Sequence, residues 1–126
     1  MTACLLACGV DSASAHHSVS HDFDVYRDLT LHGVVTDVRW GNPHIGLVLS
    51  VRNADGSTSL WRVEGGPPNA LLRRGWTRDS LKAGAVITVD GWPARDGSPR
   101  ANAHVIRLPD GRTLDAASSY LAPERR

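Results

Sequence analysis

Residues Leu31 to His44 read LHGVVTDVRWGNPH, and a change of hydrophobic parity inside this stretch decides the fold. Leu29 and Leu31 are apolar at odd positions, whereas Val34, Val38 and Trp40 are apolar at even positions. Side chains along a strand alternate between its two faces, so both sets face inward only if the strand takes in one extra residue. Gly33 stands where the parity changes, and a bulge at this glycine is the expectation. A long first strand, Leu29 to Trp40, bent at that point serves two sheets at once, which is how a small barrel closes. Gly41-Asn42-Pro43 then ends the strand, because proline donates no ladder hydrogen bond and holds the residue before it extended.

Working outward, Ile45, Leu47, Leu49 and Val51 alternate cleanly and make a second strand from His44 to Arg52. That alternation puts His44 on the opposite, outer face. Asp55-Gly56 is a hairpin turn leading to a third strand, Ser57 to Glu64. Gly65-Gly66-Pro67-Pro68 ends it. Pro68 suits the first turn of a short helix running to Arg74, and Gly75 suits the position just past its end. Leu71 or Leu72 would then face the open end of the barrel. Thr77 to Lys82 is a second short turn capped by Thr77. Ala85 to Trp92 and Arg100 to Leu108 are the fourth and fifth strands, separated by Asp96-Gly97, and Asp110-Gly111 turns into a short last strand at Arg112 to Leu114.

This order predicts an all-β protein: a small five-stranded OB-like barrel with one short helix between strands three and four. Another small closed barrel, or a partly open sandwich, is the alternative. The chain divides into 1–15 as a signal peptide, 16–28 as an N-terminal arm pinned by Phe23 and Tyr26, 29–115 as the barrel, and 116–126 as a loose tail.

The first 15 residues, MTACLLACGVDSASA, are small and apolar and end in Ala13-Ser14-Ala15, the pattern of a signal-peptidase site with cleavage before His16. No Lys or Arg precedes the apolar run, which points to a start further upstream or a truncated leader. Leu5-Leu6-Ala7-Cys8 approximates a lipobox, so lipoprotein anchoring through Cys8 is the alternative to ordinary secretion. The expected compartment is the periplasm or the exterior, with no transmembrane segment in the mature chain. Both cysteines, Cys4 and Cys8, fall within the leader. The mature chain then has no disulfide and no thiolate metal ligand. With 14 Lys plus Arg against 13 Asp plus Glu, the charge lacks the basic excess of a nucleic-acid binder.

Four segments resemble an uncharacterised family of small secreted bacterial proteins, domain of unknown function 6152. They are A-H-H-S at Ala15 to Ser18, G-x-V-x-x-V-x-W-x-N-P-H at Gly33 to His44, P-N-A-L-L-R-R-G-W-T-R-D-S-L at Pro68 to Leu81, and L-P-D-G-R at Leu108 to Arg112. The resemblance implies an exported, single-domain β-protein and supplies no activity. The chain departs from the family pattern at Val19, where an aromatic is expected, and in the extra His21.

Three constellations bear on chemistry. The first is histidine: His16, His17, His21, His32, His44 and His104. Cleavage before His16 gives that residue a free α-amino group beside its imidazole, a chelating pair. A third nitrogen completes a nitrogen-rich site of the kind Cu(II) favours. His44 is the first choice for it, with His17, His21 and His104 in reserve. Against this, histidines near cleavage sites are commonly soluble linker, His44 after Asn-Pro can cap a turn, and His32 and His104 read as surface strand residues. The second is aromatic: Trp40, Trp61, Trp76 and Trp92. Exposed aromatics on such a barrel stack sugars or bases, but Trp61 and Trp76 read as core. The third is Arg73, Arg74, Arg78 and Lys82, either an anion patch or the solvated face of a short helix.

Catalytic signatures are weak. Glu64, or Asp37 with His44, are the only acid–base candidates, and no nucleophile elbow or phosphate loop supports them. The leading reading is a binding or accessory module whose ligand, a small molecule or a protein, contacts a rim made by Trp40, Asn42 and His44 together with the arm. The chain is expected to be a monomer or weak oligomer. The runner-up is a periplasmic copper protein using His16, His17 and His44.

Overall fold

The computed structural model describes residues 19–118. A single helical turn, α1 (Val19–Asp22), leads into the strand β1 (Leu29–Arg39). Then come β2 (Gly46–Arg52), β3 (Thr58–Glu64), the helix α2 (Pro68–Arg73), β4 (Val86–Pro93), β5 (Arg100–Arg107) and β6 (Thr113–Asp115). β1 is paired on both edges. Leu29 to Val34 run antiparallel to β4, and Gly33 to Arg39 run antiparallel to β2. The strands follow the order β3-β2-β1-β4-β5-β6. Parallel pairing of Arg62–Glu64 with Arg100–Asn102 then joins β3 to β5 and closes a five-strand barrel. The OB-like arrangement expected from the strand order is therefore present, with α2 between β3 and β4.

The bulge, however, is not at Gly33. Leu31, Gly33 and Val35 point inward, Val34 is exposed, and the β1–β2 register slips between Val35 and Asp37. Thr36 is thus the extra residue. Beyond it, Val38 and Trp40 turn back to pack against the core. Hydrophobic parity alone does not choose between adjacent valines, and counting Val34 as the inward one moved the bulge too early. Gly33 has a different job. A Cβ placed on it would lie 2.3 Å from the Ser50 carbonyl oxygen, so only glycine allows β2 to cross this closely.

The core is aliphatic. Leu31 and Val35, Leu47 and Leu49, Val63, Ile87 and Val89, and Ala101, Ala103 and Ile106 come from the five barrel strands. Leu71 of α2 is fully buried beneath one end while Leu72 stays exposed, so Leu71 is the plug. Pro68 occupies the first turn of α2, where its missing N–H costs nothing, and Gly75 at φ +91° follows its end. Ala116, the first residue of the expected tail, is buried. Its N–H donates to the His104 carbonyl (2.8 Å) and its carbonyl accepts from Gly66 N–H (2.8 Å).

A smaller cluster of Phe23, Trp92 and Ala94, flanked by Val19 and Val25, holds the arm on the β4–β5 hairpin. Phe23 pins the arm as expected. Tyr26 does not: it is 91% exposed. Its own N–H turns back to the Asp24 carboxylate (3.2 Å), which places the residue in a surface turn.

Asp55, Asp96 and Asp110 share one turn device. Each carboxylate accepts the backbone N–H two residues on, from Ser57 (2.9 Å), Ser98 (2.9 Å) and Arg112 (3.0 Å). The side-chain hydroxyls of Ser57 and Ser98 lower the Asp55 and Asp96 carboxyls below their ordinary value, and the Arg112 backbone N–H does the same for Asp110. A carboxylate depressed by folding contributes stability above its unfolded pKa, and loses it as pH falls through the folded one.

Two outcomes follow. Gly33→Ala is expected to cost about 1–3 kcal/mol by overpacking against Ser50, read by denaturant unfolding. Replacing Asp55, Asp96 and Asp110 together by Ala is expected to flatten the acid limb of a melting-temperature profile below about pH 4, with the wild type falling more steeply.

Candidate functional site

The loop from Trp40 to Ile45 joins β1 to β2, and both its ends are fixed. At the first end Trp40 is half-buried against the core, its ring 6.4 Å from that of Trp76 at a 39° tilt. Trp76 is itself immobilised: it is 3% exposed, and its indole N–H donates to the Asp115 carbonyl (2.8 Å). At the second end Ile45 N–H donates to the Gly66 carbonyl (3.1 Å), and Gly65 N–H returns a bond to the Ile45 carbonyl (3.0 Å). The loop therefore stands on the β3–α2 connection and, through Trp76, on the end of β6. Asn42 and Pro43 are exposed, joined by a cis peptide bond, and His44 is half-buried.

The structure brings Trp40, Asn42 and His44 onto one short loop, and it adds a residue the sequence reading passed over. Arg39 pairs with Gly46 across the base of the loop. Its guanidinium lies 3.8 Å from where a Cβ of Gly41 would be and 3.6 Å from that of Gly46. The cation is thus folded over two residues without side chains. Among the described residues, the Arg39 guanidinium, the Asn42 carboxamide and the His44 imidazole have no hydrogen-bond or ion-pair partner. The only signal for Arg39 in the sequence was its place between the outward face of β1 and two glycines. That signal becomes legible only once the Arg39–Gly46 register is known.

Other candidates are committed elsewhere. His16 and His17 lie outside the described residues. His21 is in α1, where its ring meets the Asp22 carboxylate at 3.1 Å. His32 bonds Thr88 Oγ1 across β1 and β4 (3.0 Å), the surface strand position expected for it. His104 stands edge-on to Trp92, with centroids 3.7 Å apart. Among the described residues, no group of three or more His, Cys, Asp or Glu is placed to hold a metal.

The described part of the arm is held by the β4–β5 hairpin. Asp24 N–H donates to the Pro93 carbonyl (2.9 Å), Arg95 N–H to that of Asp22 (2.9 Å), and Arg95 Nε to that of Ser20 (2.8 Å). The Arg100 guanidinium covers the Phe23 ring at 5.5 Å.

Glu64 forms an ion pair with Arg100 (3.7 Å), and Asp37 is exposed beside the bulge. The run Arg73 to Lys82 is not one free patch: Arg74 donates to the Ala117 carbonyl (2.5 Å) and Lys82 pairs with Asp79 (3.8 Å). Trp61 is half-buried on the core and Trp92 belongs to the arm cluster. Asn102 also escaped the sequence reading. It is 1% exposed, in register between Glu64 and Trp92, and its Nδ2 has no hydrogen-bond partner among the described residues.

A family model described as a family of unknown function, DUF6152, matches residues 4–103. No curated protein and no solved structure matches the chain.

Proposed function

The chain belongs to the DUF6152 family, and we propose that it serves as an exported binding or accessory module whose ligand sits on the rim formed by Trp40, Asn42 and His44. The observation that carries this reading is the make-up of the rim itself. Some polar side chains elsewhere are answered locally, as in Thr30–Asp90–Arg107 and Asn53–Ser57–Ser59. The rim carries, on one short loop, a half-buried indole on a fixed floor and then an amide and an imidazole with no partner among the described residues. Binding sites commonly combine an apolar ring with a few convergent polar groups in this way. A rigid scaffold presenting a short loop also limits the ordering cost of binding.

Export rests on the leader-like segment ending Ala13-Ser14-Ala15. Mass spectrometry of the chain recovered from a periplasmic fraction is expected to find His16 as the first residue. Recovery of the unprocessed chain from the cytoplasm contradicts export.

For the rim, the measurement is a heteronuclear NMR titration with the neutral probes indole, phenol and glucose. At least one is expected to move the Trp40 indole N–H together with the Asn42 and His44 amides. Trp40→Ala is expected to stay folded and lose that response. Probes that map elsewhere, or a Trp40→Ala chain that unfolds, contradict the reading.

A further inference from the structure

Resting on the rim reading above, we infer that the ligand carries an oxyanion, a carboxylate or a phosphate, anchored by the Arg39 guanidinium. Arg39 is exposed at the end of β1, opposite Gly46. Its Nε and Nη2 lie 3.6 and 3.7 Å from the place of a Gly46 Cβ, and its Nη1 lies 3.8 Å from that of Gly41. The two glycines let the guanidinium lie close over the backbone at the base of the loop. A guanidinium presents its N–H donors in a planar fork that matches two oxygens of a carboxylate or phosphate.

The neighbouring charges decide whether that fork is available. Glu64 is the acid across from Gly46, and it is taken up by Arg100 at 3.7 Å. Asp37 lies two residues before Arg39 on the same exposed side of β1, and it forms no ion pair with Arg39. Arg74, Arg100, Arg107 and Arg112 each face a carboxylate. What sets Arg39 apart from the remaining exposed arginines is its company. The Asn42 carboxamide offers two N–H donors, and the His44 imidazole one or two according to its protonation. Trp40 supplies an apolar surface for the organic part of a ligand. Arg39 at the end of β1 and Trp40, Asn42 and His44 on the loop that follows supply the donors and the ring such a ligand needs, with Asp37 as the neighbouring carboxylate that competes.

The test is an NMR titration of the 19–118 region within the full mature chain, at constant ionic strength, with inorganic phosphate, acetate and benzoate. Glucose and phenol serve as neutral comparisons. The anions are expected to shift Arg39 Nε–H together with the Asn42 and His44 amides. Arg39→Gln is expected to weaken anion binding about tenfold or more. Asp37→Asn is expected to strengthen it about twofold, by removing a like charge. Trp40→Ala separates the sources: it weakens benzoate and spares phosphate if the ligand is an aromatic acid, and spares both if the oxyanion alone is read. Unchanged anion affinity in Arg39→Gln overturns the inference. If the neutral probes move the rim and the anions do not, the rim stands and the anion assignment falls. If neither moves it, both fall.

Discussion

β1 is hydrogen-bonded along both edges, and its two ladders overlap at Gly33 and Val34. Gly33 faces Val51 on one side and Ile87 on the other; Val34 faces Ser50 and Val86. The two halves of the barrel are joined there, and a Cβ at Gly33 would collide with the Ser50 carbonyl across the joint. The other closure is short, three parallel pairs between β3 and β5. A sheet free at that edge would expose a row of unpaired backbone groups. The overlap on β1 and the closure at Val63–Ala101 together turn a meander into a barrel with one core.

The rim follows from this arrangement. Because Thr36 is bulged out, the last part of β1 is rephased, and Trp40 comes down beside Trp76. The same rephasing keeps Arg39 on the outside, opposite Gly46. The loop between them is therefore held at its base and free in its middle. Asn42 is exposed on it and His44 half-buried, on a support fixed by Trp76 and the Ile45–Gly66 and Gly65–Ile45 bonds. The arm makes a second, separate attachment through Phe23 on the β4–β5 hairpin.

Much of the fold was legible because its signals are local. Asp-Gly turns, the strict alternation of Ile45 to Val51, and Pro68 with Gly75 around α2 each reflect a constraint acting within a few residues. The bulge was displaced by one choice: Val34 and Val35 are equally apolar, and only the contacts of Leu49 and Ser50 decide which faces in. Tyr26 misled for a related reason, since an aromatic in a polar arm suggests an anchor, but one aromatic, Phe23, fills the available groove. Ala116 gave no warning, because a small apolar residue in a polar tail carries no pattern. At the site, Trp40, Asn42 and His44 were readable from the break at Gly41-Asn42-Pro43. Arg39 was not, because its significance depends on a cross-strand partner. The course of the arm toward β4–β5 was equally hidden, being set by long-range contacts of Phe23 with Trp92 and Ala94.

Native-state hydrogen exchange tests the shared strand most directly. If β1 welds both ladders into one closed barrel, the amides of Val35 in β1, Leu49 in β2 and Ala103 in β5 exchange with one common opening free energy, that of global unfolding. The Asn42 amide, in the middle of the loop, exchanges far faster. If the β2–β3 hairpin instead opens well below the free energy of β4–β5, the barrel is not a single cooperative unit, and the support assigned to the rim is absent.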